Sequence, residues 1–350
     1  MGLYSCNVVK EDLDHVISRS YIPYEEMKGK SILITGATGM LAFYMTCACM
    51  HLNKAKNYGM KVYALVRNEK KAQEKFAEFI DDENFILCVQ DVCEPIKIME
   101  HVDYIVHAAG AASPWFIKND PVGIIRANTI GTMNVLDFAR DTKAEKVIFM
   151  STREIYGEVL DTPWIKETDM GALDPMESRS CYPESKRMAE QIFESYYKQY
   201  KVPYSLARIA HSYGPGMIIE NDGRVMADFI CDTVHGRDIV MKSEGLAERA
   251  FCYITDAVNA LFAILLKGEV EQAYNVANET ETMAIRDVAQ MLVDLFPDNG
   301  RKLIFEIATD TSGYCSYKRV GLDTNKLESL GWKPEVGLKQ GLINTVISFR

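Results

Sequence analysis

The chain predicts an α/β fold, a doubly wound parallel Rossmann sheet with a smaller C-terminal α/β lobe. Three observations carry this. The apolar run Ser31–Thr35 leads straight into Gly36-Ala-Thr-Gly39 and then into a Gly- and Pro-free stretch over 40–50, the order expected of strand, tight turn and helix. Strand-like runs then alternate with helical stretches to about residue 210, as right-handed βαβ units require. Beyond Tyr213 the alternation fades into turns such as Gly214-Pro-Gly216 and Asn221-Asp-Gly223.

Taken in order, residues 1–29 form an N-terminal extension. Residues 11–18 make one or two amphipathic turns ended by Pro23, and would cover either a sheet edge or a partner subunit. Residues 30–212 form the main domain. Its strands are expected at 31–35, 61–66, 85–89, 103–107, 146–150 and 204–208, each rich in β-branched or aromatic residues. Residues 213–350 form mainly the second lobe, with some segments returning to the sheet. There are no internal repeats or low-complexity tracts, and ligands of such sheets bind at the carboxyl edge of the strands.

Composition bounds the function. The 350 residues are 48% hydrophobic and carry a net charge of −10, which offers no basic face for nucleic acid or anionic membranes. No apolar run reaches the roughly 18 residues of a membrane span and no signal peptide is legible at the start, so a cytoplasmic protein is expected. The nine cysteines include no metal-ligand pair and read as reduced core thiols, Cys47 and Cys49 included. Cys181 lines the pocket or packs.

The chemistry lies in two places. Strand, glycine turn and helix at 31–50 make a pyrophosphate site. Glycines admit the backbone to the phosphates, the helix N-terminus offers N–H groups and the positive end of its dipole, and Ala42 keeps the third motif position small. Far downstream, Tyr182-Pro-Glu-Ser-Lys186 puts a phenol and an ammonium on one helix face. An ammonium there lowers a phenol pKa that is about 10 when unperturbed, making a general base for an alcohol.

These and other ordered motifs resemble the extended short-chain dehydrogenases/reductases of the NAD-dependent epimerase/dehydratase group, which act on nucleotide sugars. The motifs are Thr35-Gly-Ala-Thr-Gly39, Asp91-Val92, His107-Ala-Ala-Gly110, Ser151-Thr-Arg-Glu154 with Tyr156-Gly157, Tyr182 with Lys186, Arg208 with Tyr213-Gly-Pro215, and Arg249 to Asp256. Ala111-Ala-Ser-Pro114, 128–132, Arg179-Ser-Cys-Tyr182 and 221–225 are most similar to UDP-glucuronate decarboxylases. The resemblance implies C4 oxidation of a nucleotide sugar, a UDP-sugar first. Decarboxylation is the leading outcome, with 4-epimerisation or 4,6-dehydration as runners-up. A non-catalytic dinucleotide sensor is the alternative of another class, and would be expected to lack Tyr182, Lys186 or Thr152. A homodimer through residues 182–200 and 121–140 is also implied.

The same resemblance assigns roles. Tyr182 takes the 4-OH proton, Lys186 holds down the phenol and bonds the nicotinamide ribose, and Thr152 positions the 4-OH. Glu154 occupies the base position, or else is paired with an arginine. The dinucleotide lies on Gly36, Thr38, Gly39, Met40, Leu41, Asp91, Val92, Ala108, Ala109, Gly110 and Asn128. Substrate contacts fall to Ser113, Arg153, Arg179, His211, Arg224 and Arg249. Arg153 stands where dTDP-glucose dehydratases have an acid, and a guanidinium is a poor proton donor. Facing the pocket it would clamp a sugar carboxylate; facing away it would pair with an acid. His211 replaces a usual Asn. Arg67, with Lys70 and Lys71 behind it, stands where NAD enzymes usually have Asp. The cofactor is therefore NAD(P), leaning to NADP.

Overall fold

The protein was analysed as a computed structural model that describes residues 2–159, 162–297, 300–307 and 320–350. One parallel sheet organises it. Its strands are β1 (Ser31–Thr35), β2 (Lys61–Val66), β3 (Phe85–Val89), β4 (Tyr104–His107) and β5 (Lys146–Thr152), followed, after the two-residue β6 (Trp164–Ile165), by β7 (Tyr204–Ile209). Two-residue β8 (Ser212–Tyr213), β9 (Ile239–Met241), β10 (Glu248–Ala250) and β11 (Cys252–Tyr253) precede the last sheet strand, β12 (Gln272–Val276). The spatial order is β12-β7-β5-β4-β1-β2-β3. The direction of winding therefore reverses between β1 and β4, where a crevice opens at their carboxyl ends.

Helices cover both faces. α1 (Asn7–Ile17), α2 (Met40–Lys56) and α3 (Glu69–Lys75) precede β3, while α4 (Pro114–Asn119) and α5 (Pro121–Thr142) precede β5. α6 (Cys181–Tyr200) leads into β7, and α7 (Val225–Val234) and α8 (Ile254–Lys267) lie in the later half. Ile32 and Ile34 of β1 point into the core layer built by α1, α2 and α8. Leu33 points the other way, into the layer with α5 and α6. This is the two-residue period of a strand buried on both faces.

After β12 come β13 (Thr282–Ala284), α9 (Ile285–Leu295), β14 (Leu303–Phe305), β15 (Gly321–Leu322), α10 (Asn325–Glu328) and α11 (Leu338–Ile347). The short strands pair as β10 with β13, β11 with β8, β14 with β9, and β15 with β6. Strand expectations at 31–35, 61–66 and 85–89 match the observed bounds. β4 starts one residue later than expected because the Asp103 carboxylate is taken by the Ser31 N–H at 2.7 Å. β12 was missed. Its sequence, Gln-Ala-Tyr-Asn-Val, is too polar for the pattern, and pairing with β7 over all five residues overrides propensity.

The N-terminal extension needs correction. It packs on the helical layer over one face of the sheet and not on a sheet edge. Residues 7–17 form three turns whose Val9, Leu13 and Val16 are fully buried in the α2/α8 layer. Asp12 is buried there too, and accepts hydrogen bonds from the Tyr44 hydroxyl at 3.0 Å and the Tyr253 hydroxyl at 2.8 Å. Burial pushes its carboxyl up to about 6, against those two hydrogen bonds. Among the described residues the eight cysteines are all free thiols, and Cys315 lies outside them. Among the described residues no helix is long and apolar enough to cross a membrane.

One buried polar run crosses the crevice. The Thr35 hydroxyl accepts the N–H groups of Ala108 and Ala109, both at 3.1 Å, and lies 2.9 Å from His107 Nδ1. His107 Nε2 lies 3.0 Å from the Thr132 hydroxyl, which donates to the Asn128 carbonyl at 2.6 Å. With its hydroxyl hydrogen spent there, Thr132 accepts from Nε2–H, and Nδ1 accepts from Thr35. His107 is thus a neutral connector, and burial holds its imidazole down to about 3 with Lys186 adding to the effect.

This has a measurable consequence. Between pH 3 and 6.5 the unfolded chain binds a proton at His107 that the native chain refuses, so the residue's contribution to stability declines as pH falls through that window. Asp12 and Asp256, both pushed up to about 6, act oppositely, so the effect is read by difference. We expect His107→Gln to cost about 1–3 kcal/mol at pH 7 in urea unfolding, with the deficit shrinking toward pH 4. A deficit independent of pH would show that this imidazole titrates normally.

Candidate active site

The glycine turn closes onto the end of β4. Gly36 has φ +63°, and a Cβ there would lie 2.8 Å from Ala109 Cα. The turn and the 108–110 segment are therefore in backbone contact, which only glycine permits. Gly39 caps α2, whose first turn carries the half-buried Met40 and Leu41. The N–H groups of that turn have no acceptor within the helix, so it suits an anion. The Thr38 carbonyl accepts from Lys75 Nζ at 2.9 Å. Burial, helped by Lys71, holds that ammonium down to about 8.

Two features beyond the turn mark a ligand cradle. Gly110 is exposed, and a Cβ on it would come within 2.7 Å of Asn128 Oδ1 and 3.6 Å of Lys186 Nζ. Asn128 Oδ1 is buried without a hydrogen-bond partner while its Nδ2 donates to the Ser185 hydroxyl at 2.9 Å. A space that a methyl group would fill, beside an orphaned acceptor, fits a bound dinucleotide. At the far end, Arg67 is exposed and lies 3.8 Å from Asp91. Both line a cavity of about 210 Å³ with Gly123 and Arg126. Val92 does not open onto that space: its side chain is buried against Gly131 and its carbonyl accepts from Asn134 at 2.9 Å.

Tyr182 and Lys186 sit in the first two turns of α6, both buried. The expectation that the ammonium holds the phenol down is corrected here. The Lys186 side chain turns toward β5, donates to the Met150 carbonyl at 2.8 Å and lies 4.3 Å above the Phe149 ring. Burial pushes the phenol above its ordinary value and Glu154 adds to this, while a hydrogen bond from Thr152 and the charges of Arg224 and Arg179 pull it back. Burial holds Lys186 down to about 7, with Glu190 opposing.

Thr152, Glu154, Arg179 and Arg224 thus converge on one phenol. The Thr152 hydroxyl also caps the turn at Arg153–Tyr156, accepting the Glu154 N–H at 3.2 Å. The Glu154 carboxylate is held in a fork by Arg179, at 2.6 and 3.0 Å. Half-buried Arg153 opens the turn beside it and is engaged by other groups of the protein. Arg224 precedes α7 and is held at 3.0 Å by the buried Asp222. Gly223 packs near Pro114, which brings this turn alongside Ser113.

Two further expected residues lie later in the chain. His211 follows β7 at φ +37°, with its ring edge-on to Phe251 at 6.0 Å. Arg249 is on β10 opposite Met283, and donates to the Glu248 carbonyl at 2.8 Å.

The sequence comparisons agree with this geometry. A model described as the NAD dependent epimerase/dehydratase family matches residues 32–277. The chain belongs to that family. It is 32% identical over 317 residues to UDP-glucuronic acid decarboxylase 6 of Arabidopsis thaliana, covering 89% of this chain and 86% of that one. It is 33% identical to UDP-glucuronic acid decarboxylase 1 of Xenopus tropicalis, covering 97% and 77%. Among solved structures, a dTDP-glucose 4,6-dehydratase from Streptomyces venezuelae with NAD bound aligns with a TM-score of 0.77 at 21% identity, over 91% and 96% of the chains. A UDP-glucuronic acid 4-epimerase from Bacillus cereus with NAD aligns at 0.73 and 20%, over 91% and 98%. These likenesses establish the fold.

Within this epimerase/dehydratase fold, sequence reasoning missed several supports. Glu190 accepts from Ser151 at 2.6 Å and from buried Arg208 at 2.7 Å, and it is the carboxylate that opposes the deprotonation of Lys186. It follows Lys186 by one helical turn, a spacing that was legible. Ser185, Arg126 and Lys75 carried no such signal. A direct test of the cradle is Gly36→Ala. It is expected to cost about 1–3 kcal/mol in denaturant and to weaken NAD binding by titration; unchanged binding would remove the turn from the site.

Proposed function

We propose that the chain oxidises a nucleotide sugar at C4 and acts as a UDP-glucuronate decarboxylase. The observation that carries this is the convergence of Thr152, Tyr182, Glu154, Arg179 and Arg224 at the carboxyl edge of β5. Relatives about a third identical over nearly the whole chain support the substrate class. A dinucleotide held by the 36–41 turn, Gly110 and Asn128 would supply reversible hydride transfer at C4.

Tyr182 takes the 4-OH proton, and the Thr152 hydroxyl holds the substrate oxygen against the phenol. Lys186, anchored on the Met150 carbonyl, lies beside the Gly110–Asn128 cradle, where its remaining N–H groups would hold a dinucleotide ribose. Oxidation leaves the C6 carboxylate β to a ketone. The C5–C6 bonding pair then passes into the C4 carbonyl as carbon dioxide departs, and C5 is reprotonated. Glu154 or a water it orders delivers that proton. The fork between Arg179 and Glu154 must open for a sugar carboxylate to take the guanidinium. Arg153, a poor acid, disfavours dTDP-glucose-type elimination. Ser113, His211 and Arg249 are proposed to complete the nucleotide side.

The reading extends to setting and assembly. Free cysteines fit a cytoplasmic enzyme. α5 exposes Val122, Ile125, Ile130 and Met133, and α6 exposes Met188 and Tyr200. These two helices support a homodimer.

Two outcomes are expected. Incubation with UDP-glucuronate yields a product lighter by carbon dioxide, and a folded Tyr182→Phe variant slows this by about 10²-fold or more. Loss of water, or an unchanged mass with altered sugar couplings, would point to dehydration or epimerisation instead, and dinucleotide binding without turnover to a sensor. Arg67 and Arg126 favour a 2′-phosphate, so Arg67→Ala is expected to weaken NADP more than NAD in binding titrations. Equal losses would leave Arg67 as an adenine support.

A further inference from the structure

Away from the Tyr182 pocket, three side chains of different chemistry meet at the start of the second lobe. Cys231 and His235 lie one helical turn apart at the end of α7, and Glu220 comes from the loop before it. One ligand atom from each lies within 4.8 Å of the other two, and His235 Nε2 is 3.3 Å from Glu220 Oε1. Tetrahedral zinc holds N, O and S donors about 3.4–3.6 Å apart, given its bond lengths. Small side-chain rotations close the remaining gap.

The surroundings are those of a ligand set rather than a chance ion pair. His235 Nδ1 lies 2.8 Å from the Cys231 carbonyl. Donation to that carbonyl leaves Nε2, on the Glu220 side, as the nitrogen that would take a metal once its proton is lost, the outer-shell device that orients metal-binding imidazoles. The Arg237 guanidinium donates to Cys231 Sγ at 3.2 Å and is itself held by Asp232 at 2.9 Å. It favours the thiolate, whereas burial and Glu220 push the thiol up. Cys231 is buried, while Glu220 and His235 are exposed and leave an entry path.

We propose that Glu220, Cys231 and His235 form a zinc site, with water as the fourth ligand. Thiolate with imidazole selects a borderline-soft ion over magnesium or calcium. On binding, the thiol proton leaves to solvent as the Zn–S bond forms. Thiolate and carboxylate balance the metal's two charges, and no electrons move. Glu220 adjoins the Asn221–Arg224 turn, so occupancy fastens to α7 the segment that holds Arg224 near the phenol.

The test is cobalt titration of chelator-treated protein. One equivalent is expected to bind with a thiolate-to-cobalt charge-transfer band, to be displaced by zinc, and zinc is expected to raise the melting temperature. Cys231→Ser should abolish the band. His235→Ala and the surface change Glu220→Gln should each weaken binding at least as much as the roughly 10–100-fold lost with an outer-shell partner. All three variants should melt like the parent in chelator. Absence of the band in the parent, its persistence in Cys231→Ser, or zinc binding unaffected by His235→Ala and Glu220→Gln would overturn the assignment.

Discussion

The hydrogen-bond run from Thr35 through His107 and Thr132 to Asn128 is the constraint on which the site depends. It joins the carboxyl ends of β1 and β4 to the middle of α5. From Asn128 it continues through Ser185 to the Tyr182 carbonyl at 3.0 Å. The glycine turn and the helix bearing Tyr182 and Lys186 are thereby registered through buried polar atoms. Apolar packing alone tolerates small slips, whereas a buried donor that loses its acceptor does not. The run also fixes Asn128 with one amide arm satisfied and the other bare, beside Gly110.

The electrostatics of the dyad follow from the same enclosure. The phenol is pushed up and the ammonium pushed down, so burial shifts both toward their neutral forms. Geometry alone, two heads on one helix face, suggested direct mutual stabilisation. Instead enclosure dominates Lys186, against the Met150 carbonyl and Phe149 ring that favour its charge, and at Tyr182 the Thr152 hydrogen bond leads the restoring effects with Arg224 and Arg179 behind it.

Most of the sheet was legible because its strands are short apolar runs between turns, buried on both faces in β1 and β5 and half-buried at the edge strand β3. What sequence could not show is what tertiary pairing decides. Gln272–Val276 becomes a strand only because β7 offers an edge. Residues 7–17 look like a detachable preface, yet Asp12 is stitched to Tyr44 and Tyr253, distant in sequence. In the site, motifs located Thr152, Tyr182, Lys186 and the glycines. They could not locate partners set by side-chain reach, and so Arg179 rather than Arg153 holds Glu154. Val92 was assigned by its position after β3, and its side chain instead fills the space left by Gly131.

Net charge also misleads about affinity. A chain of −10 would repel an anionic sugar nucleotide if the charge were spread evenly, but Arg179 and Arg224 stand within reach of the phenol. Each is already neutralised, by Glu154 and by Asp222. An incoming anion therefore exchanges partners and finds no bare cation. Because Asp222 is buried, Arg224 cannot leave it without stranding a carboxylate. Glu154 is half exposed and can be released to solvent at small cost. The two arginines are thus unequal: Arg224 is tied to a buried carboxylate, and Arg179 to one that water can take over. A carboxylate that captured Arg179 would free Glu154 at the same moment, whereas one drawn to Arg224 would leave Asp222 in place.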